Sequence, residues 1–172
     1  MTDNMRLGIR LGLYLTPVAI LLALPTLSFS IRVASIVNGA GYWVYWVQNL
    51  IPLFLLALIG GLARRRGYGP GTTGLWAGIV YGLVAGACLY GVAVLAPRKP
   101  ALANAVWNAY LARGYIGTPA AHNAVRTSVL HPSVLAFVSR TAFEFAIVGL
   151  IAAFIGGLFV KGAGVSPPPS DA

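Results

Sequence analysis

The stretch GLWAGIVYGLVAGACLYGVAVLA, residues 74–96, decides the fold class. It carries no charged side chain, and about 20 apolar residues in α-helix cross the ~30 Å hydrocarbon core of a bilayer. Within it Gly74, Gly78, Gly82 and Gly86 recur at four-residue spacing, so on a helix they form one row without side chains, continued by Tyr90. Gly149, Ala153 and Gly157 repeat that spacing near the other end of the chain, and Gly8 and Gly12 form a shorter pair. Lipid tails are as apolar as leucine, so helices in a membrane associate partly through close backbone approach, which small residues permit. The spacing predicts that the third span packs on the last along these rows; the alternative use of the rows is a homodimer contact or a seat for another subunit.

Three further apolar runs flank this one, giving predicted spans over residues 7–29, 42–63, 74–96 and 137–160. The second stops at Arg64, Arg65 and Arg66, carries Pro52 in its middle, and opens with Tyr42, Trp43, Tyr45 and Trp46, the residue types of an interfacial aromatic belt. Gly67, Gly69, Pro70 and Gly71 predict a loop before the third span. Residues 97–132 are more polar yet keep Leu102, Val106, Trp107, Tyr110, Val125 and Val129, a pattern that predicts two short interfacial helices with Trp107 as an anchor. Pro100 and Pro119 suit first helical turns and Thr118 suits an N-cap. The tail, residues 165–172, is Ser- and Pro-rich and expected to be disordered. The expected architecture is therefore all-α, an integral membrane four-helix bundle in one domain, residues 1–164, with two interfacial helices between spans three and four.

Composition agrees. The chain is 58% apolar and 9% charged, too few charges to cover the surface of a soluble globule of 172 residues. Its net charge of +9 arises from ten Arg and two Lys that cluster at span ends, where they anchor helices and set orientation; no long basic tract with interleaved aromatics predicts a nucleic-acid partner. Four spans divide these twelve evenly. Arg6, Arg10, Arg64, Arg65, Arg66 and Lys161 lie on one side, and Arg32, Arg98, Lys99, Arg113, Arg126 and Arg140 on the other. The compact Arg64–Arg66 loop favours a cytoplasmic location for that side and for both termini, in the inner (plasma) membrane.

Candidate chemistry is sparse. Glu144 is the only acidic residue within a predicted span, and a carboxylate there is a functional candidate because its burial is costly. Arg140, four residues earlier on the same face, makes a structural ion pair the competing reading. Gln48 and Asn49 suit hydrogen bonds between helices or to headgroups. His122 and His131 lack neighbouring carboxylates or thiols, Cys88 has no second cysteine, and the serines and threonines stand outside any nucleophilic triad. No metal, cofactor or catalytic residue is expected.

From Arg64 to Lys161 the arrangement resembles a family of small bacterial four-span membrane proteins known only as a domain of unknown function. The shared features are the basic stop after the second span, the Gly-rich loop leading into GTTGLWAGIVYGLVAGACLYG, an interhelical segment, and a proline before a final span ending in Gly-Gly and Lys. The resemblance implies a four-helix inner-membrane protein with no assigned activity, and no functional residue is carried over from it. Two functional expectations follow from the whole reading. The first is a noncatalytic accessory, scaffold or assembly component packing with itself or within a larger complex; the second is a small dimeric carrier for a cation or hydrophobic solute, with Glu144 as the coupling carboxylate.

Overall fold

The computed structural model describes residues 2–22, 40–95, 100, 103–104, 107–108, 111 and 116–160, with side chains of the helix beginning at Ala40 described from Asn49 onward. Among the described residues the only regular elements are helices: α1 (Asp3–Tyr14), α2 (Ala40–Arg65), α3 (Pro70–Leu95), α4 (Pro119–Leu130) and α5 (Val134–Leu158). After a turn at Leu15, α1 resumes as helix to Leu22. Three of these helical stretches, Asp3–Leu22, Pro70–Leu95 and Val134–Leu158, are long and apolar enough to cross a membrane. Residues 23–29 of the first expected span, the side chains of Tyr42, Trp43, Tyr45, Trp46 and Gln48, and the 165–172 tail lie outside the described residues.

Local signals explain most helix ends. The Ser133 hydroxyl accepts the Ala136 amide at the start of α5, and the Thr118 hydroxyl accepts the Ala121 amide at the start of α4, with Pro119 in its first turn. At the end of α2, Gly67 takes φ +76°, Tyr68 N–H donates to the Ala63 carbonyl and Gly67 N–H to the Arg64 carbonyl. That is a Schellman closure, and the left-handed residue within it needs glycine. Pro52 lies inside α2 and is fully buried.

The expected loop through Gly71 is shorter than its composition predicts, because α3 already starts at Pro70. Proline at the first helical position loses an N–H that would have no helical partner anyway. The Gly69 N–H is taken up by the Asn4 side-chain oxygen, 3.2 Å away, and the Thr72 hydroxyl donates to the Gly69 carbonyl.

Helix α3 is central, touching α1, α2 and α5, while α5 packs on both α3 and α2. Leu15 and Ala19 beyond α1, Leu56 and Ile59 of α2, Ala77, Tyr81 and Ala85 of α3, and Ala152 of α5 form a common core. The bundle is inverted relative to a soluble one. Leu50, Phe54, Leu58, Leu83, Phe143, Ile151 and Phe154 are all exposed on its outside, an apolar surface that only lipid or protein can cover. The contact of Asn4 with Gly69 and of Gly157 with Pro70 puts the start of α1, the α2–α3 turn and the end of α5 at one end of the bundle.

Fully buried Thr73 has a hydroxyl with no hydrogen-bond partner among the described residues. Thr73→Val keeps the shape and removes that unsatisfied group, so its melting temperature in detergent should equal or exceed that of the parent. Two glycines of α3 offer a sharper comparison. A Cβ at Gly78 would collide with the Phe145 carbonyl, whereas one at Gly91 meets nothing within 4 Å. Gly78→Ala should therefore lower the melting temperature and Gly91→Ala should leave it unchanged or raise it, as read by thermal unfolding in detergent.

Candidate functional site

The most specific geometry in the molecule is the contact between α3 and α5, which run antiparallel. A Cβ at Gly74 would strike the Gly149 carbonyl and the Ala153 side chain, and one at Gly78 the Phe145 carbonyl. At Gly82 it would sit 2.6 Å from the Thr141 carbonyl oxygen, and at Gly86 2.8 Å from Val138 Cα. From the other helix, a Cβ at Gly149 would lie 3.1 Å from Gly78 Cα, Ala153 is fully buried, and one at Gly157 would lie 2.8 Å from the Pro70 ring. The structure thus places Gly74, Gly78, Gly82, Gly86, Gly149, Ala153 and Gly157 together in one seam. At three of the four α3 glycines the hydrogen in the Cβ position points at a carbonyl oxygen within reach of a weak Cα–H···O contact, and at Gly86 the Phe137 carbonyl lies 3.0 Å from it. Edge-on aromatic pairs flank the row: Tyr81 against Phe145 with centroids 4.7 Å apart, and Tyr90 against Phe137 at 6.4 Å.

A second seam was not anticipated. A Cβ at Gly60 of α2 would collide with the Ala153 carbonyl, and one at Gly156 of α5 with the Ala57 carbonyl. Helix α5 therefore presents two adjacent small-residue stripes, one to α3 and one to α2. The available signal was the small-residue pairs Ala57–Gly60 and Ala153–Gly156, three residues apart on each helix, hidden by the neighbouring doublets Gly60–Gly61 and Gly156–Gly157. Gly8 and Gly12 seat α1 on α3, where added Cβ atoms would meet the Thr73 carbonyl at 2.5 Å and Val80 Cβ at 2.8 Å.

The charged candidates sit elsewhere. Arg140 Nε donates to Glu144 Oε1 at 2.8 Å across one turn of α5, and the side chains are 80% and 52% exposed. They share the outer face with Phe143, Ile147 and Ile151. Trp107 stands against His122, with ring centroids 4.9 Å apart, so the described part of the interhelical segment packs on α4. His131 is exposed, Asn49 is exposed on α2, and Cys88 is half-buried. Among the described residues no three His, Cys, Asp or Glu side chains come together as a metal-binding group.

No family model, curated protein or solved structure matches this chain. The resemblance over Arg64 to Lys161 therefore rests on its motifs alone.

The ion pair lies outside both small-residue seams. Arg140→Gln combined with Glu144→Gln should change the stability of the isolated protein by less than about 1 kcal/mol, the usual worth of an exposed pair. Thermal unfolding of the parent and the double variant in one detergent measures the difference.

Proposed function

We propose that this chain is a noncatalytic inner-membrane protein of four spans, α2 being the fourth, that serves as an accessory, scaffold or assembly component. The observation that carries the reading is the position of Arg140 and Glu144, a polar pair exposed on an otherwise apolar outer face. Polar groups on the membrane-embedded surface of a helix are costly against lipid and are well satisfied by polar groups of a neighbouring subunit. The interior supports the same reading from the other direction. Its helices meet backbone to backbone along two seams, which favours a fixed body over one that opens and closes around a solute.

The segment between α3 and α5 offers the second contact region. No side chain of α4 is buried, its Thr118 cap is intact, and Arg126 is exposed upon it, as expected of an interfacial helix available to a partner or to headgroups. Arg6, Arg10, Arg64, Arg65 and Arg66 are all exposed at the bundle end that also holds the start of α1 and the end of α5. By the positive-inside rule that end, with both termini, faces the cytoplasm. The resemblance to small four-span bacterial proteins fits this placement.

Extraction of the tagged protein from its native membrane in mild detergent, followed by mass determination, tests the reading. Stoichiometric partners or a second copy should travel with the parent chain and be lost from the Arg140→Gln, Glu144→Gln double variant, whose own melting is unchanged. A monomer that travels alone and supports cation or proton flux abolished by Glu144→Gln would replace this reading with the carrier.

A further inference from the structure

A cleft of about 600 Å³ opens on the outside of the bundle between the end of α1, the second half of α2 and the last turn of α5. Its volume falls within the roughly 300–1,000 Å³ of clefts that hold small molecules. Leu15, Leu55, Leu58, Leu62 and Phe159 give its walls their apolar character, and among the described residues Arg65 is its only polar lining residue. Arg65 is exposed and has no ion-pair partner among the described residues.

Dimension and charge together identify the occupant. From Leu55 to Arg65 is ten residues of one helix, about 15 Å at 1.5 Å per residue, which is half the ~30 Å hydrocarbon thickness. The cleft therefore reaches from the headgroup level, marked by the Arg64–Arg66 cluster, to the middle of the bilayer, the depth of one leaflet. An acyl chain fits the apolar walls, and a phosphate at its head meets the guanidinium, a group suited to paired hydrogen bonds with phosphate oxygens.

We propose that this cleft is a binding site for one phospholipid with a net anionic headgroup, its chain lying along α2 between Leu55 and Leu62 and its phosphate held by Arg65. Arg64 belongs to the same helical turn and is also exposed, but it does not line the cleft. A lipid held by the site depends on Arg65 alone, whereas general attraction to a basic surface depends on both.

Native mass spectrometry of the full chain tests this, after incubation with phosphatidylglycerol and phosphatidylcholine of identical acyl chains. The parent should retain phosphatidylglycerol over phosphatidylcholine by about fivefold, the effect of roughly one arginine at an anionic membrane surface. Arg65→Gln should bring the two lipids to parity and Arg64→Gln should not. Leu58→Trp, at a position 53% exposed and so tolerant of a larger side chain, should fill the cleft and reduce retention of both lipids without changing the melting temperature. Equal retention of the two lipids by the parent, or equal effects of Arg64→Gln and Arg65→Gln, would overturn the proposal. So would a lipid-independent dimer lost in Leu58→Trp, which would give the cleft to a second copy. Glycerol phosphate, which has the headgroup chemistry without the chain, should not compete; competition would assign the site to free phosphate esters and also overturn it.

Discussion

Close backbone approach along α3 and α5 is the constraint on which the rest of the structure depends. Inside a bilayer no hydrophobic force drives one apolar helix onto another, so a stable pair needs dense packing, weak Cα–H···O contacts and little lost side-chain entropy. Glycine at every fourth position supplies all three over Gly74 to Gly86. Helix α5 answers with Gly149 and Ala153, and then, because α2 must approach it from another side, with Gly156. Helices α1 and α2 are thereby positioned by a pair that is already locked. A bundle built in this way has small residues along its seams and many large ones outside: Leu58, Phe143, Ile151 and Phe154 are all exposed.

The same economy explains where polar chemistry is found. A seam of touching backbones has no room for a charged pair, so Arg140 and Glu144 occupy the outer face of α5, bonded to one another across a turn. The arginines of the α2–α3 turn lie at the end of the bundle, where a closed helix terminus and a left-handed Gly67 turn the chain sharply. Both features leave the charged groups on the outside of the bundle, one pair on a flank and the arginines at an end.

Much of this was legible in the residues, for identifiable reasons. The α3 row could be read because four-residue spacing has one geometric meaning on a helix and because glycine in a long apolar run costs helix stability unless something requires it. Thr118 could be read because capping is local, needing only residues three apart. The start of α3 could not. Gly69, Pro70 and Gly71 look like chain breakers in isolation, and what lets the helix begin there includes a hydrogen bond from Gly69 to Asn4, 65 residues away. The α2–α5 seam escaped because adjacent glycines at 60–61 and 156–157 point to two faces at once, and spacing alone does not say which face meets a neighbour. For Glu144 the residues left two readings open, since an arginine four positions away is compatible with a pair or with a separate site. Only the orientation of the helix within the bundle decides which way the pair faces.

The central claim is that α3 and α5 touch at their backbones, and proton-detected solid-state NMR of glycine-labelled protein in lipid bilayers tests it most directly. The account predicts through-space contacts between the α-protons of Gly78 and Gly149, and between those of Gly74 and Gly149, since a Cβ at Gly149 would lie 3.1 Å from Gly78 Cα. Spectra in which these glycines show contacts only within their own helices, or only to lipid, would contradict it.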